Sequence, residues 1–199
     1  MAENMPGLKM TPPRTLAAGC AALCLVSAAE AAPNPLAPGE AGVVGGWVAR
    51  GARGVTSFRV EPVAEARGCL RLIGHGGFTI DDHGAGADKA AIRRVHRIAP
   101  GRYAIASVSW NLGGLSVALN GSSRQHGLVW TFTATPDVVT DIGVWPVASP
   151  FAERYVAGAP DLAADRQAAE ALANGVGTLV AAKIVQIPVA GANDPCPSH

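Results

Sequence analysis

The segment from Ile98 to Trp110, IAPGRYAIASVSW, decides the fold class that this sequence predicts. Pro100 and Gly101 suit a type II turn, because proline presets φ at the second turn position and glycine accepts the positive φ at the third. After the turn, two sets of residues alternate with the period of two that is typical of a β-strand. They are Tyr103, Ile105, Ser107 and Ser109 on one face, and Ala104, Ala106, Val108 and Trp110 on the other. The segment therefore predicts a hairpin whose second strand covers residues 102–110.

Short segments of the same character occur on both sides of this turn. They cover residues 43–49, 55–63, 69–74, 91–98, 115–120, 127–134, 138–147 and 178–189. Turn residues separate them, among them Asn120-Gly121 and Thr135-Pro136-Asp137. Many short strands at regular spacing predict a mainly β fold, an antiparallel β-sandwich or barrel, rather than alternating βα units. One helix is predicted over about 161–174, because an alanine-rich stretch follows Asp161 as N-cap and ends at Asn174-Gly175.

The length and charge of the chain indicate one domain with a balanced surface. The chain has 199 residues, with 16 Lys and Arg against 15 Asp and Glu. That length suits a single core, and the balanced charge argues against a nucleic-acid-binding protein, which clusters its basic residues. We expect one β-sandwich domain over residues 43–199. Residues 32–42, rich in proline, glycine and alanine, are predicted to form a flexible linker before it.

The first 31 residues have the character of a secretory signal peptide. Lys9 and Arg14 precede an uncharged apolar run over residues 16–29, and small residues suited to cleavage follow it. Lipidation at Cys20 is an alternative, because Ala17-Ala18-Gly19-Cys20 approximates a lipobox, and an uncleaved signal is a third. The expected location is the periplasm or cell envelope, with membrane attachment only through such a lipid or uncleaved signal.

The cysteines agree with export. Cys20 and Cys24 lie in the predicted signal, which leaves Cys69 and Cys196 in the mature chain. Two cysteines in an exported protein predict one disulfide. A metal site is the less favoured interpretation, because no Cys or His lies near Cys69 at metal-ligand spacing. The bond would tie the C-terminal tail to an early strand and stabilise the fold by about 4–5 kcal/mol in the chain-entropy model.

Two stretches resemble a known group of proteins. IAPGRYAIASVSW, and GLVWTFTATPDVVTDIGVWPV over residues 127–147 followed by the alanine-rich helix, resemble a loose group of uncharacterised bacterial cell-envelope proteins, many of them small lipoproteins. This resemblance covers about half of the mature chain and implies a transthyretin- or carboxypeptidase-regulatory-like β-sandwich. The group's pattern has a second Pro-Gly turn, followed by a strand that ends in Tyr-Ile-Gly-Asp. This chain departs from it, with Thr135-Pro136-Asp137 at the turn and Asp141-Ile142-Gly143 at the strand end. The shared positions are turn and core residues, so the resemblance implies a fold and a compartment and no catalytic residues.

One glycine-rich segment concentrates groups that can bind metals. GHGGFTIDDHG, residues 74–84, contains His75, Asp81, Asp82 and His83. With His96, the residues His75, Asp81 and His83 form a candidate nitrogen and oxygen ligand set for Zn²⁺ or another divalent ion. Their spacing does not match HExxH or a paired-histidine motif. The favoured interpretation is a polar loop, with a metal or small-ligand site over residues 75–96 as the alternative.

Three further sets of side chains each have a structural and a functional interpretation. Ser122 and His126 could belong to a hydrolase triad, although no Gly-x-Ser-x-Gly is present. The four tryptophans are expected in the core, with an aromatic ligand platform as the alternative. They are Trp47, Trp110, Trp130 and Trp145. Four arginines are expected on a solvated strand face, with binding of an anionic polymer or lipid headgroup as the alternative. They are Arg93, Arg94, Arg97 and Arg102.

Three functions are consistent with these observations. The first is an exported β-sandwich protein that acts as a non-catalytic accessory or interaction module of the cell envelope. The second is a small-ligand or metal-binding protein that uses the 75–96 region, and the third is a hydrolase. We expect a non-enzymatic protein without a cofactor, whose partner is an envelope protein or surface and not a nucleic acid.

Overall fold

A computed structural model describes residues 34–50, 54–66, 68–81, 89–90, 92, 94–112, 115–120, 128–152, 156, 158–190 and 196. Within these residues the chain forms twelve strands and one helix. They are β1 (Ala41–Ala49), β2 (Val55–Ala66), β3 (Cys69–Leu72), β4 (Phe78–Asp81), β5 (Lys89–Ala90), β6 (His96–Ile98), β7 (Gly101–Leu112), β8 (Leu115–Asn120), β9 (Leu128–Ala134), β10 (Val138–Val147), α1 (Arg166–Ala173), β11 (Thr178–Ala181) and β12 (Val185–Pro188). The predicted mainly β class with one helix is confirmed.

The strands form two sheets. The five-stranded sheet has the order β11-β10-β1-β5, and β6 also pairs with β1. The seven-stranded sheet has the order β12-β9-β7-β2-β3, with β4 on β2 and β8 on β7. All named pairings of the larger sheet are antiparallel, whereas β10 runs parallel to both β1 and β11. The prediction of an antiparallel arrangement did not anticipate these two parallel pairings.

The main core lies between the two sheets. The five-stranded sheet contributes Trp47 and Trp145, neighbours across β1 and β10, and the seven-stranded sheet contributes Phe58 and Trp110. The rings of Phe58 and Trp145 lie 5.7 Å apart and join the sheets. Trp47, Trp110 and Trp145 are fully buried, and Trp130 packs against them partly buried. The tryptophans are therefore core residues, as favoured, and do not form a surface platform.

The hairpin predicted at Pro100-Gly101 is wrong. Residues 96–98 of β6 pair with residues 41–43 of β1 in the five-stranded sheet, while β7 belongs to the other sheet. The proline and glycine therefore form a crossover between sheets. The strand predicted over 178–189 also divides, because β11 pairs with β10 and β12 pairs with β9. A local turn signal marks where a strand ends and does not specify its neighbour, which explains the first error.

The helix is shorter than the predicted span of 161–174. It begins at Arg166, because Asp165 before it has a left-handed φ of 54°. The carboxylate of Asp161 accepts hydrogen bonds from the amides of Ala163 and Ala164, at 2.9 and 3.1 Å, in a turn that precedes the helix. Through its alanine face the helix covers the outer side of the five-stranded sheet. The buried residues of this second cluster are Val44, Ile92, Val139, Val144, Ala169 and Ala173.

A buried carboxylate anchors the helix to the sheet. Asp141 of β10 is 1% exposed, and its carboxylate accepts hydrogen bonds from the Gly143 amide at 2.9 Å and from the Arg166 guanidinium at 3.3 Å. Arg166 also donates to Glu170 at 2.9 Å, and this hydrogen bond is the main cause of a raised pKa of Arg166. Arg166 is therefore cationic at every ordinary pH, and Asp141 has a permanent partner.

The linker predicted over residues 32–42 is wrong at its C-terminal end, because β1 begins at Ala41. The preceding residues are tied to the domain. The Leu36 amide donates to the Val176 carbonyl at 3.0 Å, and Arg97 donates to the Pro35 carbonyl at 3.0 Å and pairs with Glu40 at 2.9 Å. The predicted signal peptide, with Cys20, lies outside the described residues. In the part of the chain that is described, no helix has the length and apolar character needed to cross a membrane.

Candidate functional site

The seven-stranded sheet closes on itself at one end. Ala190 lies two residues beyond β12, and its amide donates to the Leu70 carbonyl while its carbonyl accepts from the Leu72 amide, both at 2.9 Å. These bonds form a parallel bridge between Ala190 and Arg71 of β3. Hydrogen-bonded neighbours therefore run from β12 through β9, β7, β2 and β3 and back to the chain that leaves β12. We call this closed circuit the ring.

A small apolar cluster fills the ring. Its members come from every strand of the circuit, namely Val63, Leu70, Leu72, Ala104, Val129, Ile187 and Val189. Such a contribution from each strand is what the inside of a small barrel requires, since inward and outward residues alternate along its strands. The ring is thus a packed structural unit with its own core, separate from the core between the sheets.

A disulfide lies at the rim of the ring. Cys69, the first residue of β3, is bonded to Cys196 with their Cα atoms 5.8 Å apart, which confirms the predicted disulfide. Arg71 lies beside the bond, with its side chain largely buried and its terminal nitrogen 3.5 Å from the Cys196 sulfur. The Nε of Arg71 donates to the Ala66 carbonyl at 3.1 Å. The bond holds the C-terminal chain against the strand that closes the ring.

Two open clefts adjoin this end of the ring, and Arg102 lines both. The first, which we call the ring-mouth cleft, has a volume of about 420 Å³. It is lined by Glu65, Gly68, Cys69, Leu70, Arg102, Ile187 and Pro188. The second, the turn cleft, has a volume of about 370 Å³ and lies over the Pro100-Gly101 crossover. It is lined by Pro62, Val63, Ile73, His75, Gly76, Ala99, Pro100, Gly101, Arg102 and Tyr103.

The charged groups at the clefts have no partners within the described part of the chain. Arg102 and Glu65 are both exposed, and none of the ion pairs among the described residues includes either of them. Tyr103 lies beneath the turn cleft, 2% exposed, and its hydroxyl donates to the Ala99 carbonyl at 2.8 Å. Burial raises the pKa of Tyr103 above the ordinary value, so its hydroxyl stays a hydrogen-bond donor at neutral pH. The clefts therefore combine apolar walls with an available cation and an available carboxylate.

The structure separates the predicted metal ligands. His75 lies in the exposed bend that lines the turn cleft, whereas Asp81 ends β4 and forms an ion pair with Arg94 at 3.6 Å. His96 stacks on Phe78, with ring centroids 4.4 Å apart. No group of three or more His, Cys, Asp or Glu residues able to hold a metal ion occurs among the described residues. His83 and Asp82 lie outside those residues, so a metal site that includes them stays a prediction.

The predicted arginine cluster is also divided. Arg94 pairs with Asp81 and Arg97 pairs with Glu40, whereas Arg102 lines the clefts and has no ion pair among the described residues. Arg93 lies outside the described residues, as do Ser122 and His126 of the hydrolase alternative. Glu65 was not singled out from the sequence, since it belongs to no motif. The strand predicted over 55–63 stops before it, and only the observed β2, which extends to Ala66, places Glu65 on the same face as the inward-facing Val63.

No family model, curated protein or solved structure matches the chain. The resemblance to small bacterial envelope proteins therefore stays a prediction.

Proposed function

We propose that the protein is an exported β-sandwich that acts as a non-catalytic accessory or interaction module of the cell envelope, and that it makes its contacts through the clefts around Arg102. One observation carries this proposal. An exposed guanidinium, without an ion-pair partner among the described residues, lines two open, apolar-walled clefts on a ring whose rim carries a disulfide. Disulfides form and persist in oxidising compartments, which supports export.

Binding is favoured over catalysis by the chemistry of the cleft groups. Acid-base or nucleophilic catalysis needs a base within hydrogen-bond reach of its target and usually a third group that orients it. Glu65, His75 and Arg102 are the ionisable side chains that line the clefts besides Tyr103. No hydrogen bond among the described residues joins any two of them, so they are spaced as separate contact points.

Site-specific crosslinking in intact cells tests this proposal. A photo-crosslinking residue at Ile73, which is 40% exposed and lines the turn cleft, should capture an envelope component. The same residue at Phe151, 75% exposed and lining neither cleft, is the matched control and should capture much less. Arg102→Glu should remove the Ile73 product.

The compartment is tested on the same cells. We expect the chain in the envelope fraction, with its N-terminus processed or lipidated and with Cys69 and Cys196 oxidised. A chain found in the cytosol with both thiols free would contradict the proposal, and so would crosslinking that is equal at Ile73 and Phe151.

A further inference from the structure

The ring-mouth cleft carries charges of both signs on one face of the ring. Pro62 lies opposite Tyr103, so the next residues in register, Val63 and Arg102, are neighbours across β2 and β7. Val63 belongs to the cluster inside the ring, and Glu65 follows it two residues later on the same face. Arg102 and Glu65 both line the cleft, at the ends of their strands.

These two charges face one space without neutralising each other. A direct pair would bring a guanidinium nitrogen within 4.0 Å of a carboxylate oxygen, and none of the ion pairs among the described residues joins Arg102 to Glu65. A guanidinium and a carboxylate that line one cleft without pairing with each other are complementary to a ligand that carries the opposite charges at its two ends.

The other walls of the ring-mouth cleft determine which chemical group of a ligand can lie between Arg102 and Glu65. Leu70, Ile187 and Pro188 present aliphatic surface, and the cleft volume of about 420 Å³ falls in the range of small-molecule sites. An aliphatic group bound there leaves water, while the polar ends of the ligand stay at the charged rim.

We propose that the ring-mouth cleft binds a small zwitterion with an aliphatic body, of the class of the apolar α-amino acids and their dipeptides. Arg102 binds the carboxylate, which a guanidinium contacts through two parallel hydrogen bonds. Glu65 binds the ammonium group, and Leu70 with Ile187 contacts the aliphatic side chain. This inference rests on the proposed binding function and specifies the ligand class of the same site.

The test compares four probes on the full-length oxidised protein by calorimetry or NMR. L-leucine and L-leucyl-L-leucine carry both charges, N-acetyl-L-leucine lacks the ammonium group and L-leucinamide lacks the carboxylate. We expect at least one zwitterionic probe to bind at about millimolar concentration or below. The two singly charged probes should bind about tenfold more weakly or worse, because each leaves one charged contact unmade.

Variants assign each end of the ligand. Arg102→Gln should abolish the preference for leucine over leucinamide, and Glu65→Gln the preference for leucine over N-acetyl-leucine. Exposed Arg50, which lines neither cleft, provides the matched control, and Arg50→Gln should bind as the wild type does. Thermal midpoints verify that each variant is folded, and the comparison of probes on the wild type needs no variant.

Two results would overturn the inference. Equal binding of N-acetyl-leucine and leucine would show that the site recognises an anion and not a zwitterion. Failure of leucine and leucyl-leucine to bind would exclude the ligand class. Crosslinking at Ile73 that persisted in that case would leave the proposed function in place, so the two failures are distinguishable.

Discussion

Removal of the Cys69–Cys196 disulfide should destabilise the protein strongly. The bond spans 127 residues of sequence, and for a loop of that size the chain-entropy model gives about 5 kcal/mol at 25 °C. A typical domain is stable by only about 5–15 kcal/mol, so the bond accounts for a large share. For a domain of this size the loss corresponds to a fall of about 10–20 °C in Tm.

The structure of the ring determines where the loss of stability is detected first. Without the bond, the C-terminal chain is held to β3 by the two hydrogen bonds of Ala190 and by the burial of Val189. Each hydrogen bond contributes about 1 kcal/mol net, which does not replace the cross-link. The amides of Leu72 and Ala190 should therefore exchange with solvent faster when the bond is absent, before the rest of the chain unfolds.

Thermal or urea unfolding of the oxidised wild type and the Cys69→Ser/Cys196→Ser double variant measures the effect, and amide exchange at Leu72 and Ala190 locates it. The single variants are matched controls, because each removes the same cross-link and should lose as much stability as the double variant. A double variant within about 1 kcal/mol of the wild type would refute the reasoning, since Ala190 would then close the ring unaided.

Three other substitutions test packing and protonation. Burial raises the pKa of Tyr103 in the folded protein above its value in the unfolded chain, which is about 10. The neutral hydroxyl therefore stabilises the folded state fully below the unfolded pKa. This contribution is lost as the pH rises through the higher pKa of the folded state. Tyr103→Phe should therefore unfold with a weaker dependence on alkaline pH than the wild type, and an unchanged dependence would count against this assignment. Gly143 has φ of 69°, and a Cβ there would lie 2.8 Å from the Asp161 carbonyl oxygen, so Gly143→Ala should cost about 2 kcal/mol or more in urea unfolding. Gly39→Ala, with φ of 78° and open space around its Cβ, controls for backbone strain, and equal losses in the two variants would exclude the clash. Asp141→Ala removes the acceptor of a buried amide and should cost about 1–3 kcal/mol, whereas a loss below about 0.5 kcal/mol, as at ordinary surface positions, would mean that water replaces the carboxylate.

The strands could be predicted because apolar and polar residues alternate along them, but the alternation did not assign every face correctly. Val108 and Trp110 are fully buried in the main core, as the period of two predicts. Tyr103 and Ile105, expected on the opposite face, are buried in the same core, because the register between β2 and β7 shifts by one residue at Ala106. The disulfide could be predicted because the signal-like segment leaves only two cysteines to pair. The first signal is the local alternation along a strand and the second is the number of cysteines. Neither requires knowledge of which strands are neighbours.

The errors arose where pairing depends on distant parts of the chain. The pairing of β6 with β1 brings Ile98 against Ala41, more than fifty residues earlier in the sequence, and no local pattern encodes that choice. The split between β11 and β12 has a similar origin, since the Ala182 amide donates to the Asp141 carbonyl while Val185 already pairs with β9. A continuous apolar run predicts an extended chain, but it does not indicate where that chain passes from one sheet to the other.

The candidate site escaped prediction for a related physical reason. His75 and Asp81 attracted attention because they are close in sequence, yet one lines a cleft and the other forms an ion pair with Arg94. The ring-mouth cleft is assembled from four strands, and its charged groups, Glu65 and Arg102, come from two of them. Residues gathered by strand pairing have no fixed spacing, so a search for motifs cannot find them.

The position of Arg102 follows from the crossover at Pro100-Gly101, where the sequence predicted a hairpin. Pro100 and Gly101 carry the chain between the sheets, so β7 begins at the open end of the ring and Arg102 is its second residue. A long cationic side chain at a strand end can lay its apolar stem along the walls while its guanidinium stays in water. The charge therefore costs the fold little and stays available to a ligand. In the function proposed here, IAPGRYAIASVSW contributes its one charged residue, the exposed Arg102, and the buried apolar residues that follow hold Arg102 in place.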